Sequence, residues 1–564
     1  TTLAARLNAR TNAQQTGSAA IPARRGLILD RAGRTLAGTR MCPSVFADPA
    51  LIEEDDFTQI ASRLGPVLDL PAGQIEQTLR ENRDRRFCWL KRAIGPAEAE
   101  AVKQLKIHGI RLRNEPQRYY PLGPLMAQTI GIVSRDGRGL EGVELRYDAH
   151  LRSRDGRRVS IYDARSKRRP IWSRLDGGSP PQDGGDVVLT LDAVIQSFLE
   201  DQIAETVTKF EAESGVGVVM SPITGDILAM GQYPTFDPNR YAAFPPEARR
   251  NRVIGDALEP GSTFKPYVAS GALASGFVSP GERIFCHMGQ HYFGGRLIHD
   301  SSPRGDLTFE EILSKSSNIG MAIIGQRMGN QTIHRTVRSF GFGSPTGVDL
   351  PGEASGLVAP LARWTSYSTT SVPFGQEIAV TAIQLATGLC AIVNGGTLLK
   401  PRVTKALLGP DGELLESFDG PQVIRRVMPP DVADYMAQKV LVGVVKNGGG
   451  KTAALSDWQV LGKTGTAQIA YADRSGYEPE AYMSSFIGAA PAENPQVVVV
   501  VMIRKPNPKL GYYGSKVAAP AVGRILEKTL SYLGVPPSPQ MGNDQEDFRD
   551  MAARLVKIAE VHPG

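Results

Sequence analysis

Glu259-Pro260-Gly261-Ser262-Thr263-Phe264-Lys265-Pro266 is the stretch on which the reading of this chain turns. Glu-Pro-Gly forms a turn, and Pro266 locates a helix start, because proline is tolerated only near the first turn of a helix. Ser262 is thereby predicted at a helix N-terminus, where free N–H groups and the helix dipole favour negative charge. Ser262 and Lys265 are three apart and share one helical face. An amine held there, desolvated and hydrogen-bonded, is neutral enough to take the serine proton. Read alone, the same string is a capping serine followed by a surface lysine.

Two later strings bear on that choice. Ser316-Ser317-Asn318 precedes an apolar segment at 319–324, and by itself is a routine turn or cap. Lys463-Thr464-Gly465-Thr466 lies inside a strand pattern. Gly465 weakens a strand unless something must come close to its backbone, and a substrate laid antiparallel along an exposed edge is expected to be that partner. Thr464 and Thr466 are candidates for binding a substrate carboxylate, with Lys463 supplying positive potential. The plain alternative is an edge strand with a surface lysine.

Working outward, 564 residues are too many for one core and imply two or three domains. Hydrophobic residues make up 41% and charged residues 22%, as in an ordinary folded chain. A formal net charge of +6 is modest for this length and favours neither nucleic acid nor a strongly acidic partner. No run approaches the ~20 apolar residues that span a bilayer. The longest apolar run, 497–503, reads as a buried strand.

Residues 1–24 read as a linker or frayed helix, and 25–182 as a mixed α+β domain with helical patterns near 55–63, 73–83 and 96–105. Basic residues crowd 152–170, read as a solvated hairpin, and Gly177-Gly178-Ser179-Pro180-Pro181 reads as the clearest linker. A larger domain over 183–535 follows, with a strand at 187–191, a helix at 193–210 and a hairpin at 216–230. Three consecutive strands at 460–470, 484–490 and 496–503 and a helix at 520–533 close it, implying one sheet flanked by helices. In the acidic tail, 536–564, Phe548, Met551, Leu555 and Ile558 make one helical stripe. The four cysteines, Cys42, Cys88, Cys286 and Cys390, have no paired spacing. Cys286, His287, His291 and His299 raise the thought of zinc but fit no standard finger, so no metal or other cofactor is assigned.

Taken in order, Ser262-Thr263-Phe264-Lys265, Ser316-Ser317-Asn318 and Lys463-Thr464-Gly465 match the S-x-x-K, S-x-N and K-T-G motifs of penicillin-recognising serine acyltransferases. Three further strings resemble the pedestal of class B penicillin-binding proteins: Arg25-Gly26 with Asp30-Arg31 and Gly33, Arg118-Tyr119-Tyr120-Pro121, and Gly139-Leu140-Glu141-Gly142-Val143-Glu144. The resemblance implies a multidomain α+β and α/β fold, a mixed pedestal followed by a transpeptidase domain whose antiparallel sheet is flanked by helices. It implies a peptidoglycan DD-transpeptidase that forms an acyl-enzyme on Ser262 from D-Ala-D-Ala stem peptides and is blocked covalently by β-lactams. By the same resemblance Lys265 is the base, Ser316 a hydroxyl relay, Asn318 a donor to the substrate amide, and the backbone N–H groups of Ser262 and Thr466 form the oxyanion hole. Phe374-Gly375-Gln376 and Tyr512-Tyr513-Gly514 look more like the septal than the elongation enzymes.

Relatives carry one N-terminal membrane helix. An anchor in the cytoplasmic membrane preceding residue 1, an extracytoplasmic catalytic domain, a polytopic glycan polymerase and divisome proteins as partners are the matching expectations. Rival readings keep the acylating residues but send the acyl group to water, as in a β-lactamase or carboxypeptidase. Others make the chain a penicillin sensor or a wall-binding scaffold.

Overall fold

Strands from distant parts of the chain complete both of the larger sheets. This computed structural model describes residues 16–162, 170–471, 473–474 and 476–539. It begins with strands β1 (Thr16–Ile21), β2 (Ile28–Leu29) and β3 (Thr35–Ala47). Helices α1 (Phe57–Leu68) and α2 (Ala72–Glu81) follow, then β4 (Cys88–Lys91), α3 (Pro96–Gln104) and β5 (Ile110–Tyr119). The apolar spacing of α1 explains its packing. Phe57, Ile60, Ala61, Leu64 and Leu68 lie on one stripe and cluster with Ile75, Leu79 and Val102 over Val45.

Strands β6 (Gly156–Tyr162) and β7 (Pro170–Ser179) pair antiparallel, with β1 added on the free side of β6. The expected hairpin is present, although its tip lies outside the described residues. Two linker expectations need correction. Residues 16–21, assigned to a linker, form a strand because β6 offers them a ladder. Gly177 to Ser179 close β7, so the irregular connection is confined to 180–185.

Next comes β8 (Asp186–Leu189), parallel to β2 and antiparallel to a later strand at Thr404–Leu408. The sheet runs from Leu414–Ser417 through Thr404–Leu408, β8, β2 and β3 to β4, with β5 also paired to β3. The second half of the chain therefore supplies strands to the sheet of the first domain.

Helix α4 (Ala193–Lys209) leads to β9 (Ser214–Met220) and β10 (Ile227–Tyr233). A single 3-10 turn, Gly261–Phe264, runs into α5 (Lys265–Ala274). A small hairpin, β11 (Gln290–Phe293) and β12 (Arg296–His299), precedes α6 (Phe309–Ser314), α7 (Asn318–Ser339) and α8 (Ala382–Val393). Strands β13 (Leu461–Ala470), β14 (Tyr477–Ala490) and β15 (Val497–Arg504) and helix α9 (Gly514–Tyr532) finish the described chain.

The second sheet is antiparallel in the order β10, β9, β15, β14, β13. Its centre is apolar on both faces, which is why β15 reads as an unbroken run. Val499, Val501 and Ile503 join Ile195, Leu199 and Ile203 of α4 and Val522 and Leu526 of α9. Val498, Val500 and Met502 join Val218, Met220, Ile383 and Leu389 on the other side. Helix α9 starts at Gly514 instead of near 520. Pro520 lacks the N–H that would reach the 516 carbonyl, yet the buried Val517, Ala518 and Ala519 hold the preceding turn in place. The apolar stripe at Phe548–558 lies outside the described residues. Among the described residues, no helix is long and apolar enough to cross a membrane.

Candidate active site

β13 is the outermost strand of the antiparallel sheet, paired with β14 on one side and with no other strand among the described residues. Against it sits the 3-10 turn Gly261–Phe264, which holds Ser262 half-buried directly before α5. Gly465 is where the two segments meet. A Cβ there would lie 2.4 Å from Ser485 Oγ and 2.8 Å from Thr263 Cγ2. The protein's own neighbours, Ser485 on β14 and the serine-bearing turn, already require a glycine at this position. From another direction, the Gly261 N–H donates to the Gly375 carbonyl at 3.1 Å, and a Cβ on Gly375 would lie 2.1 Å from Gly261 O. Gly375 also has φ +84°, a conformation that glycine adopts without steric cost.

Lys265, the first residue of α5, and Lys463 on β13 are both fully buried. Lys265 Nζ donates to Ser316 O at 2.6 Å, Ser316 Oγ at 3.1 Å and Asn318 Oδ1 at 2.8 Å. Lys463 Nζ donates to the same Ser316 Oγ at 3.0 Å and to Thr464 O at 3.1 Å. One hydroxyl thus receives hydrogen bonds from two amines, leaving its own proton to be donated elsewhere. Burial holds Lys265 well below the ordinary lysine range; the charge of Lys463 lowers it further and Asp300 raises it. Burial also brings Lys463 down to about 7. A neutral amine has two N–H groups, so in that form Lys265 donates to two of its three acceptors and keeps a lone pair with which to take a proton.

Other predicted residues occupy more particular positions. Asn318 opens α7, its Oδ1 engaged by Lys265 while its Nδ2 donates to His299 O at 3.0 Å. Thr464 Oγ1 lies 3.5 Å from Lys463 Nζ. Thr466 Oγ1 accepts the Gly514 N–H at 3.0 Å, at the start of α9, so its hydroxyl proton is available to an acceptor at the strand edge. Sequence reasoning missed Asp300, which accepts hydrogen bonds from the start of α7 and belongs to none of the strings. It singled out the strings around Gly375 and Gly514 but missed the contacts these glycines make, since both depend on folding.

The pedestal strings also converge. Glu144 is fully buried; Arg25 Nε reaches one of its carboxylate oxygens at 2.7 Å and Arg118 Nε the other at 2.6 Å. Arg25 also donates to Glu144 O at 2.8 Å, and Arg118 to Gly26 O at 2.6 Å. Near the site, the His287 and His291 rings stack 3.8 Å apart. Among the described residues, no group of three or more His, Cys, Asp or Glu side chains is arranged to hold a metal. All four cysteines are free thiols.

Two family models match the chain: Penicillin-binding Protein dimerisation domain over residues 20–189 and Penicillin binding protein transpeptidase domain over residues 215–527. A probable peptidoglycan D,D-transpeptidase PbpC from Pseudomonas aeruginosa is 35% identical, covering 92% of this chain and 88% of that protein. The peptidoglycan D,D-transpeptidase FtsI of Escherichia coli is 32% identical, with coverages of 93% and 86%. Among solved structures, penicillin binding protein 3 of Mycobacterium tuberculosis, complexed with aztreonam, is similar with a TM-score of 0.71 and 28% identity. That match covers 92% of this chain and 98% of the other. With a dimerisation domain followed by a transpeptidase domain, this chain belongs to the class B penicillin-binding proteins.

Proposed function

We propose that this chain is a peptidoglycan DD-transpeptidase that cross-links stem peptides during septal wall synthesis. The observation that carries the chemistry is the Ser316 hydroxyl, which receives hydrogen bonds from two fully buried amines at 3.1 and 3.0 Å.

In this reading, a stem peptide ending in D-Ala-D-Ala lies along the free edge of β13, its terminal carboxylate near the Thr464 and Thr466 hydroxyls. Neutral Lys265 takes the Ser262 proton as Ser262 Oγ attacks the carbonyl of the penultimate D-alanine. The backbone N–H groups of Ser262 and Thr466 receive the developing oxyanion, and removing one such donor costs ~3 kcal/mol. When the C–N bond breaks, the Ser316 hydroxyl passes a proton to the departing D-alanine amine and is resupplied by an adjoining lysine. An amine from a neighbouring stem then attacks the acyl-enzyme, restoring Ser262 and forming the cross-link. β-Lactams enter by the same first step and leave a slowly released acyl group on Ser262.

Septal assignment rests on Phe374-Gly375-Gln376 and Tyr512-Tyr513-Gly514. Both strings contact the site: Gly375 supports the Ser262 turn and Gly514 engages Thr466. A membrane anchor, an extracytoplasmic location, and work beside a polytopic glycan polymerase and divisome proteins complete the proposal.

Intact-protein mass spectrometry after incubation with benzylpenicillin, with Ser262→Ala in parallel, tests the site. A stable one-to-one adduct on the wild type alone supports it; rapid adduct loss with antibiotic consumption points to a hydrolase. An amine-acceptor assay on a stem pentapeptide then tests cross-linking. Depletion in the source bacterium tests the role, filamentation supporting the septal reading and rounding the elongation one.

A further inference from the structure

A cavity of about 1130 Å³ opens in the pedestal, and its wall holds no residue of the acylation strings. It exceeds the ~300–1,000 Å³ of a small-molecule pocket, a size that suits a segment of chain. Leu70, Trp89, Leu90, Pro116 and Tyr241 give it an apolar wall. Tyr241 comes from the 3-10 turn Pro238–Ala243 of the second domain, so both domains face the cavity. Trp89 is braced edge-on by Phe46 and Phe87, with Arg92 over its ring at 5.3 Å. The lining is also basic, with eight Arg or Lys side chains against three Asp or Glu. All three acids are engaged. Arg92 holds Glu115 at 3.0 and 3.1 Å and Asp136 at 3.8 Å, and Asp155 accepts the Ala23 N–H at 2.9 Å. Arg135 and Arg138, which also line it, have no ion-pair partner among the described residues. Arg118 Nη2, on a side chain 4% exposed, has no acceptor there either. Such a cavity selects an occupant that is apolar on one side and acidic beside it.

The acidic tail of this chain has that chemistry. Asp544, Glu546, Asp547 and Asp550 crowd seven residues, with Arg549 as the one base among them. Phe548, Met551, Leu555 and Ile558 are spaced for one helical face. The described chain ends at Pro539, where Ser538 N donates to Asp457 O at 2.8 Å and Ser538 Oγ accepts the Gln459 N–H at 2.8 Å. Just before, the Tyr532 hydroxyl accepts Arg34 Nη2 at 3.2 Å. Arg34 leads into β3, whose Thr39 lines the cavity. From Arg34 to Thr39 is about 17 Å of extended strand, whereas residues 540–564 can span up to ~80 Å. We propose that the tail, over residues 544–558, docks in the pedestal cavity of its own chain. Phe548, Met551, Leu555 and Ile558 lie against the apolar wall, and the acidic run faces Arg135 and Arg138. Docked there, the tail clasps the pedestal to the Pro238–Ala243 turn. The inference is independent of the reading of Ser262 as nucleophile.

Hydrogen–deuterium exchange on the full chain tests this. Wild type is compared with a cavity variant, Arg135→Glu/Arg138→Glu, and a tail variant, Phe548→Asp/Leu555→Asp. The amides of 544–558 are expected to exchange at least about tenfold more slowly in wild type than in either variant. In the tail variant, the amides of 89–93 and 134–138 should speed up together with them. Raising salt from about 0.05 to about 0.5 M should weaken the protection, because the paired charges lie at the surface. Adding Asp547→Arg/Asp550→Arg to the cavity variant exchanges the two signs and should restore most of the protection. Tail amides that exchange in wild type at the rate of an unstructured peptide overturn the proposal. So does protection that survives charge reversal in the cavity, which would seat the tail elsewhere. Protection that fades on dilution also overturns it, by placing the tail in the cavity of a second copy. If the cavity variant fails to fold, the tail variant decides: faster exchange in both segments supports docking, and unchanged exchange overturns it.

Discussion

Lys265 and Lys463 reach one hydroxyl from two separate elements, Nζ to Ser316 Oγ at 3.1 Å from the start of α5 and at 3.0 Å from β13. Neither amine is exposed, so water cannot share the load of a second positive charge. The pair therefore favours holding one proton over two.

Lys463 should leave a signature in stability. Its folded value of about 7 lies below the ~10.4 of an unfolded lysine. Between those values the unfolded chain binds a proton that the folded chain lacks, so stability rises with pH across that window. The contribution approaches ~1.4 kcal/mol per pH unit. In urea titrations from pH 7 to 10, wild type should gain stability relative to Lys463→Met. A constant difference would place a charged amine in the folded state.

Replacing the base should uncouple binding from chemistry. Lys265→Met is expected to acylate with benzylpenicillin about 10² to 10⁴ times more slowly, the range for general-base loss. Stopped-flow competition with a chromogenic β-lactam measures this. Acylation within a few-fold of wild type would assign the proton to another group.

Gly375→Ala should damage the site from outside it. The new Cβ would press on the Gly261 carbonyl at 2.1 Å in a conformation with φ +84°. The expected cost is roughly 1–3 kcal/mol, with displacement of the Ser262 turn. Adduct formation should fall at least tenfold, read by mass spectrometry at fixed time. Full activity would mean that the turn does not depend on this support.

Glu144→Ala should separate stability from catalysis. It removes the carboxylate shared by Arg25 and Arg118, whose side chains are 6% and 4% exposed, leaving Arg25 to Asp148 and Arg118 to backbone carbonyls. Loss of one partner in a buried ionic cluster costs about 3–5 kcal/mol. Thermal melting should drop by several degrees, while the acylation rate of the folded fraction at 25 °C stays within about threefold. Equal loss of both would make the pedestal part of the chemistry.

Elements governed by local pattern were legible in the sequence. Val499, Val501 and Ile503 announce a buried strand, 55–63 a helix that the structure carries on to Leu68, and Pro266 the first turn of α5. What resisted reading depends on partners remote in sequence. The strand at Thr16–Ile21 exists because β6 offers an edge, and Gly465 is small because Ser485 and Thr263 approach it. The acylation strings showed which groups gather, but their burial was not local information. A lysine that reads as surface on β13 is fully enclosed once Ser316 and the α5 start close over it. Asp300 was invisible for the same reason, since its three donors lie 17 to 19 positions away, beyond α6.

The sheet that pairs Leu189 with Thr404 also has a history during synthesis. β2, β3 and β8 leave the ribosome long before Thr404–Leu408, and they wait with one side of β8 unpaired while most of the catalytic half is made. Non-local pairing of this kind slows folding and exposes a sticky edge in the interval. The nascent pedestal thus carries an unpaired strand edge that needs protection from neighbouring chains until Thr404–Leu408 arrives.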